Sequence, residues 1–171
     1  AMQCDVTDPK QVHDLFNRVV ETVGAPTILV NNAGGSGYVS RWTPGKRVSF
    51  LDFTPEELQA CFALNMFGTF YCTQEFVRKL DGREASIINI SATASLITKR
   101  GKGIYGPAKG AVNVFTRGIA AELGGMGIRV NAICPGPTGT ERFTRFQGEP
   151  GNQDEAHRGR IPMNRYGRPE D

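Results

Sequence analysis

Apolar residues follow two different periods along this chain, and the switches between them mark its elements. Val12, Leu15, Phe16, Val19, Val20 and Val23 recur at helical spacing between Pro9 and Gly24, behind an N-cap and first-turn proline at Asp8-Pro9. Thr27–Asn31 is instead an apolar run of strand length between Pro26 and a glycine-rich stretch, the pattern of a buried parallel strand. Thr54-Pro55-Glu56-Glu57 is a capping box opening a long helix through Leu58, Phe62, Asn65, Met66, Phe70 and Val77 to about Leu80. Ser86–Ile90 reads as the next strand. A helix over Gly103–Leu123 follows, then a break at Gly124–Gly127 and a strand over Ile128–Ile133. This alternation predicts a doubly wound parallel α/β sheet in three layers, α/β/α. Ala1–Val6 reads as the tail of a further strand, and Gly167–Asp171 as the first turn of a helix.

The bulk properties narrow the function classes. At 171 residues the chain has the size of one domain, able to bury roughly 70% of its unfolded surface. Twenty Lys and Arg against 17 Asp and Glu leave +3, too weak a field to imply nucleic acid or an anionic membrane. Arg158, Arg160, Arg165 and Arg168 form a mild basic cluster that suits either an anionic ligand or a solvated face. Cys4, Cys61, Cys72 and Cys134 are widely spaced, so neither a metal site nor a disulfide framework is expected. No apolar run approaches the ~20 residues of a membrane span, and the expectation is a cytoplasmic protein.

The candidate chemistry starts at Tyr105 and Lys109. Four residues apart in Ile104-Tyr105-Gly106-Pro107-Ala108-Lys109, they stack phenol and ammonium on one face of a helix. A free phenol titrates near pH ~10, and a cation held beside it favours the phenolate. Tyr-x-x-x-Lys occurs by chance on many helices, so the surrounding segments decide. These are Asp5-Val6, Asn31-Asn32-Ala33-Gly34 after Ile28-Leu29-Val30, Asn65 in Leu64-Asn65-Met66-Phe67-Gly68, and Pro135-Gly136-Pro137-Thr138-Gly139-Thr140 after the last strand. In this order they resemble the short-chain dehydrogenase/reductase family, from Cys4 to Asp171.

The resemblance implies a single partial Rossmann-like domain over 1–171, lacking the family's N-terminal Gly-x-x-x-Gly-x-Gly turn and its last strand, and so inactive by itself. It implies an NAD- or NADP-dependent oxidoreductase interconverting a ketone and a secondary alcohol, with a small carbonyl or alcohol as substrate and a homotetramer when complete. Tyr105 would give or take the proton, Lys109 would lower its pKa and bond the nicotinamide ribose, and Asn65 would bend its helix and hold a water leading to the lysine. Asp5 and Val6 would lie beside the adenine. Asn32, Ala33, Gly34, Pro135, Gly136, Thr138 and Thr140, with Tyr105 and Lys109, would line the rest of the cofactor site. The segments 35–53 and 141–166 would set substrate choice.

One family position is changed. The serine that bonds the substrate oxygen stands thirteen residues before the tyrosine, and here that position is Ala92. Ser91, Thr93 or Ser95 would have to compensate, with Ser91 nearest but directed to the opposite face of an extended chain. The competing expectation is a binding or scaffold subunit that keeps the fold without turnover.

Overall fold

The computed structural model describes residues 1–35, 48–97, 103–141 and 158–171. Helix α1 (Pro9–Val23) starts where Asp8 accepts from the amides of Lys10 and Gln11, and it ends at Gly24 with a positive φ of 81°. Strand β1 (Ile28–Asn31) follows. The capping box then opens α2 (Pro55–Phe62): Thr54 accepts from the Glu57 amide, and Glu57 accepts from the Thr54 amide at 3.0 Å. The helix expected to run to about Leu80 with a bend at Asn65 passes through a π turn (Ala63–Phe67), which contains Asn65, before continuing as α3 (Gly68–Arg78). Strand β2 (Ala85–Ile90), α4 (Tyr105–Leu123) and β3 (Ile128–Ile133) complete the order.

The three strands form one parallel sheet in the order β1-β2-β3, with Leu29 opposite Ile87 and Ile87 opposite Val130. Each crossover steps to the next strand in the same direction. Right-handed connections therefore lay their helices on the same face of the sheet. On that face Val12 and Phe16 of α1 and Cys72 and Phe76 of α3 pack with Leu80, Ala85, Ile87, Ile128 and Val130 in the main core. The described helices thus form one flanking layer of the Rossmann-like arrangement, and the alternate strand residues face outward: Ile28 is 67% and Val30 51% exposed. The stretch Ala1–Val6, expected as a strand, pairs with no other strand and runs as irregular chain into the turn before α1. It is instead fixed sideways against α3, where a Cβ on Gly68 would come within 2.7 Å of Val6 Cγ2.

The core-facing side of the sheet carries a buried polar ladder toward its C-terminal edge. Asn31 and Asn89 are register partners. The Asn31 amide donates to Asn89 Oδ1 at 2.8 Å and to Thr73 Oγ1 of α3 at 3.0 Å, while the Asn89 amide donates to Thr116 Oγ1 of α4 at 2.9 Å. Buried polar groups are tolerated only when paired, and a one-residue slip of either strand would break every one of these bonds. Asn89→Leu, which keeps the branched shape and removes the amide, should therefore cost about 1–3 kcal/mol. The expected readout is a lower urea midpoint with an unchanged denaturant slope.

Candidate active site

Three segments converge at the C-terminal edge of the sheet: the turn after β1, the π turn, and the first turns of α4. Lys109 is only 3% exposed, and its Nζ donates to the Ile90 carbonyl at the end of β2 at 2.8 Å. Burial pushes its pKa below the ordinary lysine value, opposed in smaller part by the neighbouring Cys61. Asn65 is fully buried in the π turn. Its Nδ2 donates to the carbonyls of Gly35 and Cys61, each at 2.9 Å, and its Oδ1 accepts from the Gly35 amide at 2.9 Å. Both amide protons are thus committed to backbone, so a water next to this side chain would find only acceptor capacity at Oδ1.

Gly34 lies where these groups meet. A Cβ there would stand 2.9 Å from Asn65 Oδ1 and 3.0 Å from Lys109 Nζ, distances a real side chain does not occupy. The glycine lets the turn after β1 close over amide and ammonium together. Tyr105 is the first residue of α4 and half-buried, one helical turn before Lys109. The residue before it, Ile104, is buried with Cys61 and Ala108 in a second apolar cluster flanked by Phe53 and Phe62, which seats the start of α4.

The hydroxyls around Ala92 are accounted for differently from expectation. Ser91 is 3% exposed and its Oγ donates to the Lys109 carbonyl at 3.0 Å, so it is a tie between strand and helix, and the geometry gives it no place as a substitute catalytic hydroxyl. Ser95 Oγ donates to the Ala92 carbonyl at 2.6 Å. Ala92 itself is extended, at φ −164°, in front of a short 3₁₀ turn over Thr93–Ser95.

The remaining expected contacts line the same edge. Asn32 and Ala33 are exposed just past β1, and Pro135 and Gly136 are exposed just past β3, where a Cβ on Gly136 would meet nothing within 4 Å. Thr138 pairs with Gly167 in a parallel bridge, and the Thr140 amide donates to the Thr138 carbonyl. Asp5 is exposed and its Oδ1 accepts from the amide and hydroxyl of Thr7. The turns after β1 and β3 thus lie outside the C-terminal ends of their strands, where ligands of open α/β sheets gather. Most of the two expected substrate segments, residues 36–47 and 142–157, lies outside the described residues. Asn89, Thr73 and Thr116 support the site and were not singled out by sequence, where Asn31 appears only within its motif and Cys61 only as a spaced cysteine. Their signal is a polar residue repeated at core-facing positions of strands and helices.

Among the described residues no three His, Cys, Asp or Glu side chains gather as metal ligands, and no helix is long and apolar enough to cross a membrane. None of the four cysteines forms a disulfide, and burial pushes the Cys72 thiol up to about 11.

The depressed Lys109 pKa has a definite sign. Below it the folded state carries a buried charge. As pH rises through it toward 10.5 the folded lysine loses its proton while the unfolded one keeps it, so stability rises with pH across that window. Urea midpoints measured against pH should show this rise, and Lys109→Met should flatten it.

A family model described as enoyl-(acyl carrier protein) reductase matches residues 1–171. The 3-oxoacyl-[acyl-carrier-protein] reductase of Synechocystis sp. is 33% identical over 100% of this chain, which spans 64% of that relative's length. Among solved structures, a gluconate 5-dehydrogenase from Burkholderia cenocepacia in complex with NADP and tartrate superposes with a TM-score of 0.83 at 29% identity, covering 96% of this chain and 61% of that one. A putative D-mannonate oxidoreductase from Haemophilus influenza with bound NAD superposes with a TM-score of 0.89 at 26% identity, covering 99% and 65%.

Proposed function

Because the chain belongs to the short-chain dehydrogenase/reductase family, we propose that it carries the catalytic part of an oxidoreductase interconverting a ketone and a secondary alcohol with NAD or NADP. The observation that carries this reading is the meeting of Lys109 and Asn65 around Gly34 at the sheet's C-terminal edge, with Tyr105 one turn from Lys109 on α4. When bound, a nicotinamide dinucleotide supplies or takes the hydride. In reduction Tyr105 gives its phenolic proton to the carbonyl oxygen as that oxygen gains charge, and the phenolate is reprotonated from solvent. In oxidation the same oxygen takes the alcohol proton. Lys109 favours the phenolate and has ammonium protons beyond the one given to Ile90 with which to hold a ribose hydroxyl. Asn32, Ala33, Gly34, Pro135, Gly136, Thr138 and Thr140 present a low-relief surface to the nicotinamide half, and Asp5 and Val6 reach toward the adenine.

A second reading is a non-catalytic binding or scaffold subunit. Ala92 favours it, because no hydroxyl stands at that position and two of its neighbours, Ser91 and Ser95, bond backbone carbonyls. The two readings separate in a protein extended to the relatives' full length and screened with ketones and alcohols. For an enzyme, Tyr105→Phe abolishes turnover and leaves cofactor binding nearly intact. Ala92→Ser raises kcat on simple ketones by up to ~10²-fold, the worth of one restored oxyanion donor. Turnover indifferent to Tyr105→Phe defeats the catalytic reading, and no turnover in any variant favours the scaffold.

We further propose that the exposed aromatic side of α3 and α4 joins copies of the full-length protein into a homo-oligomer. Phe70 packs on Phe115 with ring centroids 5.6 Å apart, and Phe67 and Phe70 remain 45% and 41% exposed. Sedimentation should give a dimer or tetramer at micromolar concentration, and a monomer there refutes the proposal.

A further inference from the structure

The turn that carries Ala92 is held more firmly than a position without a functional side chain requires. Its own backbone closes it: the Ser95 amide donates to the Ala92 carbonyl at 3.0 Å, and the amides of Leu96 and Ile97 donate to the Thr93 carbonyl at 3.0 and 2.9 Å. Ser95 Oγ adds a second bond to the Ala92 carbonyl. Asn113 of α4 then donates from Nδ2 to Ser95 Oγ at 2.7 Å, and its Oδ1 accepts from Cys134 Sγ, just past β3, at 3.6 Å. Asn113 stands one turn beyond Lys109, on the same helix face. One turn in the other direction is Gly106, where a Cβ would lie 2.8 Å from the Ala94 carbonyl.

Gly106, Lys109, Asn113 and Thr116 therefore form one stripe along α4, at i, i+3, i+7 and i+10. Every member meets the segment 89–95. Gly106 admits Ala94, Lys109 takes Ile90 and Ser91, Asn113 takes Ser95, and Thr116 takes Asn89. The first two contacts serve the lysine and the start of the helix. The Asn113–Ser95 bond adds to these: Ser95 Oγ also meets Ser91 Oγ at 3.3 Å, so the bond joins the turn around position 92 to the tie between Ser91 and Lys109.

We infer that Ser95 and Asn113 are positioning residues of this site, holding the turn 92–96 where a side chain at position 92 would address the substrate oxygen. The inference rests on the oxidoreductase reading above and deepens it. What is missing at Ala92 is a hydroxyl, while the hydrogen bonds that hold the turn around it are present.

Two measurements on a protein of the relatives' full length test it. The first is independent of activity. Asn113→Leu, which keeps the branched shape and removes the amide, should speed hydrogen exchange of the Ser95, Leu96 and Ile97 amides by about tenfold or more, with the amide of Ser86 at the far end of β2 as an unmoved control. The second is a double-mutant cycle on kcat and KM for ketone reduction. The gain from Ala92→Ser should survive Ser95→Thr, which keeps the hydroxyl, and shrink to a few-fold at most beside Ser95→Ala or Asn113→Leu, with cofactor Kd unchanged. A purely structural role would lower the melting temperature and all rates together, leaving the Ala92→Ser ratio as it was. A full-sized gain in both altered backgrounds, or turn amides that exchange no faster, overturns the inference. Turnover that ignores Tyr105→Phe counts against the oxidoreductase reading, and the exchange result still decides this one.

Discussion

A lysine ammonium almost fully withdrawn from water sets the terms for everything around it. A charge in that setting is tolerable only with close hydrogen-bond partners, and Lys109 finds one in the Ile90 carbonyl, a strand-end acceptor with no partner of its own further along the sheet. Reaching it fixes how far α4 can slide or rotate against β2. The same residue's carbonyl accepts from Ser91, so helix and strand are bound through both ends of a single residue. The turn after β1 must then close over the ammonium without any side chain, which leaves room for glycine alone at position 34.

The handedness of the crossovers explains why this convergence happens at one edge and on one face. Two right-handed connections that step in the same direction put α2, α3 and α4 on the same side, so residues at the ends of β1 and β2 and at the start of α4 are brought into reach of one another. The apolar part of that interface stabilises without specifying register, since Ile, Leu and Val tolerate small shifts. The ladder of Asn31, Asn89, Thr73 and Thr116 specifies it, because amide and hydroxyl partners are lost entirely on displacement by one residue. Aliphatic packing below and amide pairing above divide the work between stability and alignment.

Much of this was legible in the residue pattern, for identifiable reasons. Local signals with their own hydrogen-bond logic placed α1 and α2: Asp8 before Pro9, and Thr54 with Glu57. The parallel order followed from alternation of strand and helix. The π turn was legible only as the bend at Asn65 that the resemblance implied, because one extra residue per turn changes which faces are buried without changing composition, and Phe70, on the apolar face of the helical reading, comes out 41% exposed. Ala1–Val6 failed as a strand because strand character depends on a neighbour supplied by the fold, and none of the described strands lies beside it. The partner of Ser91, a helix carbonyl eighteen residues on, is invisible in one dimension. The Asn113–Ser95 bond is of the same kind, eighteen residues apart and without a motif.

The structure also changes how much weight each retained residue carries. From sequence, Tyr105, Lys109 and Asn65 count as three independent survivals that favour catalysis over a silent scaffold. In the folded chain two of them are structural in their own right: Lys109 ties α4 to β2, and Asn65 holds both backbone groups of Gly35 from within a π turn. A scaffold subunit would keep both for stability, so their presence separates the two readings only weakly. Tyr105 is different. Helix α4 begins behind a buried isoleucine at position 104, and Tyr105 opens it half-buried, one turn before the lysine. The phenolic oxygen is the one group of the three that would exchange a proton with the substrate oxygen, and the argument for hydride chemistry rests on it more than on the lysine beside it.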